Sequence, residues 1–235
     1  MFQASNFEQS PPDPAVVAWI LAAGQGRRMG GCAKSMIQIG DRTILESLVH
    51  ALRAGGCGQV NVLVGAHAST IRPVAERCGV SMLKVSNPQG SLMATQRDAV
   101  KLHLRHHADA DMMVTVADLP LIRSPHIRIL LSAWQQAGRR GAIAPIVDGQ
   151  RGHPLILAAS TVRELAASGA RDGIRGWLKS NSCALTCWPS SEPAYVTDLD
   201  KPEDLARLRA ISGADALQTN GLLADTSEHH LAGRL

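Results

Sequence analysis

A chain of 235 residues, 45% hydrophobic and 19% charged, has the length and apolar content of a single soluble domain with an ample core. Aromatic residues make up 3% of it, too few for the stacking platforms that bind single-stranded nucleic acid. The formal charge of +4 is dispersed, with Arg27-Arg28 and Arg139-Arg140 the only basic doublets, so it suits small anions and nothing in it compels a nucleic-acid partner.

The five cysteines, Cys32, Cys57, Cys78, Cys183 and Cys187, are odd in number and lack C-x-x-C spacing, the usage of reduced cytoplasmic thiols. Cys183 and Cys187 fall in a segment that reads as a strand, where they would share one face without forming a metal site. The polar, proline-rich stretch from Met1 to Pro14 carries no secretory pattern, and no apolar run reaches membrane-spanning length. The expected location is the cytoplasm, with no membrane partner.

Val16 to Ala22 reads as a buried strand that breaks into a loop holding Gly24, Gly26, Gly30 and Gly31, with Arg27, Arg28 and then Lys34. Successive main-chain N–H groups in such a turn make a concave anion site, and the three cations add full charge, so the stretch can hold phosphates. The spacing is not the G-x-G-x-x-G of dinucleotide folds. Nor is it a P-loop, because Lys34-Ser35 follows Ala33 and not glycine.

Ile44, Leu45, Leu48, Val49 and Leu52 then recur at helical spacing up to Gly55-Gly56, and Val60 to Val64 is a short strand. Ser69 can cap a helix running to Arg77, and Val80 to Val85 is another strand. The turn Asn87-Pro88-Gln89-Gly90-Ser91 opens a long helix to about His107, and the strand Met112 to Val116 ends at Asp118-Leu119-Pro120. Ile127, Leu130, Leu131 and Trp134 share a helical face; strands follow at Ala142 to Val147 and Leu155 to Leu157. Two short helices, about 161–167 and 173–179, precede a last core strand at Cys183 to Trp188 and a further short one at Tyr195-Val196-Thr197.

This alternation predicts an α/β fold of three layers, a mostly parallel twisted sheet of Rossmann-like form with helices on both faces. A single domain over residues 15–212 is expected, with residues 1–14 and 213–235 as flexible tails. Ligands bind such sheets at the carboxyl ends of strands, which draws the loops at residues 24–34, 87–91 and 118–120 to one site.

Asp118 stands where a carboxylate could hold a nucleotide-bound Mg²⁺, and it is equally a turn aspartate ahead of Pro120. Asp200 can cap a helix with Glu203 as its capping-box partner, Pro202 in the first turn and Leu205, Leu208 and Ile211 as the buried face. The same Asp200, with Asp198, can be the second carboxylate on that cation. Gly152-His153-Pro154 makes a corner able to offer an imidazole and backbone donors to a substrate, or a turn histidine that bonds locally. His103, His106 and His107 have metal-like spacing but lie in a polar stretch that reads as a solvated face.

In chain order, L-A-A-G-x-G-x-R-M-G with Lys34, N-P-x-G-S-L, A-D-L-P-L-I, G-H-P and D-x-D-x-P-E-D-L resemble the MobA-like nucleotidyltransferase family over about residues 15 to 210. The resemblance is nearest to its molybdenum cofactor cytidylyltransferase branch. It departs at Ala117, where the family has glycine, at Lys201, where threonine is usual, and at Cys32-Ala33 before the lysine.

The resemblance implies that Leu21, Ala22, Ala23, Gly24, Gly26, Arg28, Lys34, Ser91 and Asp118 bind the nucleotide, and that Lys34, Arg28 and Asp118 act in catalysis. It further implies Mg²⁺ held by Asp118, Asp200 and Asp198, an acceptor received by Gly152, His153 and Pro154, and transfer from a nucleoside triphosphate, CTP first, to a phosphorylated small molecule such as the molybdopterin cofactor. A molybdoenzyme or its maturation chaperone is the implied protein partner. Two other readings stay open: a nicotinamide-dependent oxidoreductase, against which the failed G-x-G-x-x-G spacing counts, and a catalytically silent nucleotide-binding protein.

Overall fold

Strand β1 (Val16–Ala22) is buried along its whole length, as a strand covered on both faces must be. The structure, a computed structural model, describes residues 16–169, 173–201, 203, 204 and 208. The expected tails at 1–14 and 213–235, and Pro202, Leu205 and Ile211 of the expected C-terminal helix, lie outside those residues.

β1 runs parallel between β4 (Gln59–Val64) and β6 (Asp111–Val116), and β5 (Ser81–Lys84) adds in parallel beyond β4. On the other side β9 (Leu155–Leu157) runs antiparallel to both β6 and β7 (Ala142–Val147), and β10 (Leu185–Pro189) closes that edge in parallel with β7. β8 (Gln150–Arg151) folds back on β7, while β2 (Gln38–Ile39) and β3 (Arg42–Thr43) form a separate ribbon. The sheet is mostly parallel, as the alternation of elements predicts.

Side chains alternate across the sheet and feed two clusters. Val16, Ala18 and Ile20 meet α1 (Ile44–Gly55), α2 (Ala68–Arg77) and α4 (Ser124–Gln136) through Leu48, Ile71 and Leu130. Val17, Trp19 and Leu21 meet α3 (Leu92–His107), α5 (Ala159–Ala167) and α6 (Gly173–Ser180) through Val100, Leu165 and Ile174. Three helices therefore cover each face, giving three layers. Among the described residues no helix is long and apolar enough to cross a membrane.

Several local expectations change. Helix α2 begins at Ala68 with His67 at the cap position, so Ser69 lies inside it. The segment expected as the last core strand is divided: Ser182–Ala184 is a one-turn helix, and Leu185–Pro189 is a half-exposed edge strand. Cys183 and Cys187 consequently do not share a strand face. At residues 195–197 a one-turn helix, Pro193–Tyr195, replaces the short strand, because Tyr195 is buried edge-on to Trp188 and its hydroxyl donates to the His126 carbonyl over 2.8 Å.

His103 is not on a solvated face. It is completely buried, accepting at Nδ1 from Trp19 Nε1 over 3.1 Å, with Nε2 2.9 Å from the Ala110 carbonyl. A carbonyl only accepts, so Nε2 carries the hydrogen and the ring is the neutral tautomer.

Candidate active site

The loop after β1 is shaped by its glycines. Gly26 and Gly30, both left-handed at φ 62° and 67°, flank a single helical turn at Arg27–Met29. A Cβ on Gly26 would stand 1.9 Å from the Cys32 carbonyl oxygen, so only glycine fits there. The Gly26 carbonyl accepts from Met29 and Gly31, which pulls the loop into a cup. Among the described residues the main-chain N–H groups of Gly24, Gln25 and Gly26 have no protein acceptor, leaving donors for an anion.

Two carboxylates are brought to this cup. Asp118 follows β6, where the Ala117 N–H still bonds to the Leu21 carbonyl of β1. The acidic segment is tied in by a bond from the Leu199 N–H to the Asp118 carbonyl (3.0 Å), and buried Leu199 packs with Met29 and Ile44. Lys34 Nζ then lies 3.2 Å from Asp118 Oδ2 and donates to Asp200 Oδ1, while Arg28 Nη1 reaches Asp200 Oδ2 at 2.9 Å. Asp200 is free to do this because Asp204, and not Glu203, takes the capping role: its Oδ2 accepts from the Asp200 and Lys201 N–H groups at 2.8 and 2.7 Å.

Burial would lower the Lys34 ammonium, but its bonds to Asp200 and Asp118 outweigh that and hold it above its ordinary value. The carboxylates diverge. Burial pushes Asp118 up despite Lys34, whereas the Lys34 bond and then Arg28 hold the more open Asp200 down. Asp198 is pushed up by burial and then by the negative charge of Asp118 and Asp200, so it belongs to the same electrostatic cluster without touching Lys34.

A divalent cation fits this donor set. Two carboxylates from distant segments already face one cation, the Lys34 ammonium, at hydrogen-bond range. Among the described residues no three His, Cys, Asp or Glu side chains form a closed metal cage. Two carboxylates completed by phosphate oxygens and water are the arrangement Mg²⁺ favours.

A cavity of about 400 Å³ opens beside the cluster. Leu21, Ala22, Ala23, Gly24, Gly26 and Arg28 line it, as do Lys34, Asp118 and Asp200. Gly90, Leu92 and Thr95 form a further part of its wall. Ser91 uses its hydroxyl to cap α3, accepting from the Ala94 N–H over 3.3 Å, and its neighbours make the wall in its place. Ser35, His67 and Ile71 also line the cavity without any motif having marked them. His67 follows the carboxyl end of β4, the one positional signal that points to it.

The corner at Gly152-His153-Pro154 stands apart from this lining. Gly152 N–H donates to the Pro145 carbonyl and His153 N–H to the Tyr195 carbonyl, both at 2.8 Å, so its backbone donors are used within the fold. A Cβ on Gly152 would meet the Tyr195 oxygen at 2.4 Å, and the His153–Pro154 bond is cis. His153 Nδ1 is buried without a hydrogen-bond partner, and burial lowers the ring's affinity for a proton.

Residues 18–185 match the MobA-like NTP transferase domain family. The chain is 29% identical over 204 residues to a molybdenum cofactor guanylyltransferase of Cereibacter sphaeroides, covering 84% of this chain and 97% of that one. It is 25% identical over 206 residues to nicotine blue oxidoreductase of Paenarthrobacter nicotinovorans, covering 83% and 97%. Rv0371c from Mycobacterium tuberculosis H37Rv has a similar structure, with a TM-score of 0.66 at 21% identity over 83% of this chain and 97% of that one. Its complex with manganese matches at a TM-score of 0.62, with 20% identity and coverage of 83% and 97%.

Proposed function

The chain belongs to the MobA-like NTP transferase family, and from that premise we propose that it moves a nucleoside monophosphate from a triphosphate, CTP first, to a phosphorylated small molecule, the molybdopterin cofactor being the acceptor proposed. An acceptor phosphate oxygen attacks the α-phosphorus in line, a new P–O bond forms, the α–β bridging bond breaks, and pyrophosphate leaves. Little covalent chemistry falls to the protein, so positioning and charge neutralisation supply the rate.

The observation that supports this most is the meeting of Asp118 and Asp200 on Lys34 beside the glycine cup. In this reading the loop N–H groups, Arg28 and Lys34 grip the β- and γ-phosphates and steady the departing pyrophosphate. Asp118 and Asp200 would hold the divalent cation, Mg²⁺ in the cell, with Asp198 adding negative charge beside them. When bound, that cation offsets charge on the phosphates. The Gly90, Leu92 and Thr95 wall receives base and ribose. The five free cysteines are in keeping with a cytoplasmic setting, and delivery to a molybdoenzyme or its maturation chaperone follows from the same reading.

The guanylyltransferase relative favours GTP as the second candidate, and the oxidoreductase relative keeps an oxidoreductase as a second reading of the cleft, for which a nicotinamide cofactor is the ligand to test. Thermal shift with CTP, GTP, ATP, UTP and NADH, each with and without Mg²⁺, separates them, because a ligand that binds only the native state raises the melting point. A Mg²⁺-dependent rise with one triphosphate is expected. A rise with NADH alone would overturn the transferase reading.

A further inference from the structure

The glycine cup is braced from a side that the proposed chemistry does not use, the turn between β4 and α2. Gly65 in that turn lies flat against the start of the loop: a Cβ there would meet the Ala23 carbonyl oxygen at 2.9 Å and Ala23 Cα at 3.2 Å. Two residues on, His67 reaches across with Nε2 3.3 Å from the Gln25 carbonyl oxygen. The acceptor is a carbonyl, so Nε2 carries the hydrogen and donates it.

The consequence follows from peptide geometry. In a planar trans peptide the C=O and N–H point in opposite directions, so turning the Gln25 carbonyl toward His67 turns the Gly26 N–H away from it. That N–H is one of the donors without a protein acceptor, and both His67 and Gly26 border the cavity. On the Gly26 side this peptide is held by the close approach to Cys32, but the Gly24 backbone has open space about its Cβ position, so on that side little in the loop itself fixes its orientation.

We propose that His67 is a positioning residue: through the Gln25 carbonyl it sets the Gln25–Gly26 peptide so that the Gly26 N–H faces a phosphate, with Gly65 holding the turn close enough for it to do so. The role of the gripped phosphate rests on the transferase reading. The brace itself does not, and the two can be tested apart.

The experiment uses the full chain as wild type, His67→Leu, His67→Gln and Gly65→Ala. Hydrogen exchange is read at the 24–31 amides, and titration calorimetry is run with CTP and GTP, each with Mg²⁺. His67→Leu should exchange faster across the loop while the β1 and β6 amides stay protected, and should bind triphosphate about three- to tenfold more weakly, the scale of one lost hydrogen bond. Glutamine places an amide donor near the Nε2 position, so His67→Gln should restore both readouts to near wild type. Gly65→Ala should loosen the loop as His67→Leu does. Unchanged loop exchange in His67→Leu, or equal defects in the His67→Leu and His67→Gln variants, overturns the proposal. If wild type binds neither triphosphate, the nucleotide reading fails while the exchange data still decide the brace.

Discussion

Lys34 Nζ lies 3.2 Å from Asp118 Oδ2, and the same ammonium is hydrogen-bonded to Asp200. One lysine from the glycine loop thus bridges two carboxylates that reach it from the end of β6 and from the acidic segment. Asp118→Asn keeps the shape and removes the charge, so turnover measured as pyrophosphate release should fall by at least about a hundredfold with the circular dichroism spectrum unchanged. Lys34→Met removes a charge-assisted contact of about 1.5–3 kcal/mol, or roughly 10- to 150-fold in rate. Near-normal pyrophosphate release from Asp118→Asn would sink the proposed role of that carboxylate.

The pieces of this site were legible in the sequence; their assembly was less so. β1 announces itself because seven apolar residues in a row suit a strand buried on both faces. Asp118 and Asp200 stand out because acidic residues beside proline and hydrophobic runs admit few uses. What joins them is a main-chain bond from Leu199 to Asp118, and backbone pairing between distant segments leaves no residue-type signature. The His67 contact is hidden for the same reason, since its partner is a carbonyl. His103 misled because its neighbours Arg105 and His106 are exposed, while its own ring faces Trp19 across the sheet–helix interface. β9, only three residues long, gives no sign that it inserts antiparallel between β6 and β7.

His103 makes the fold sensitive to acid. Burial holds its proton affinity below the ordinary value of 6.5, and protonating Nδ1 would break the bond from Trp19. As pH falls, the unfolded chain takes up this proton before the folded one does. The stabilising contribution is complete above about pH 6.5 and is lost as pH drops from there through the folded value. Urea midpoints followed from about pH 8 to pH 5 should decline on the acid side in wild type. The decline should be shallower in His103→Asn, whose side chain does not titrate; an identical acid limb in the two proteins would remove His103 as its source.

Asp111 is a second buried hub, and a structural one. Its Oδ2 accepts from Trp134 Nε1 at 2.8 Å and from Arg139 Nη2 at 2.9 Å, and its Oδ1 accepts from the Ala159 N–H at 3.1 Å. One carboxylate therefore ties β6 to the end of α4 and the start of α5. Asp111→Ala takes this carboxylate from the Arg139 guanidinium, 17% exposed, and should cost about 3–5 kcal/mol in urea unfolding. Asp111→Ala with Arg139→Met removes both charges and should recover part of that loss. A single variant as stable as wild type would show that the hub contributes little.

The cysteines should separate by reactivity, since the thiolate is the nucleophile. Cys183 and Cys187 are exposed, in the one-turn helix and on the edge strand. Cys57 is buried with its Sγ 3.7 Å from Met113 Sδ, and burial pushes its thiol up to about 12. Cys32 and Cys78 are half-buried, and burial raises both. An aromatic disulfide reagent at about pH 8 should label two thiols quickly, two slowly, and Cys57 only when denaturant opens the core. Cys183→Ser and Cys187→Ser should each remove one equivalent from the fast phase and leave the slow ones unchanged; fast labelling of Cys57 in the native protein would contradict the packing between α1 and the β1–β4–β6 face.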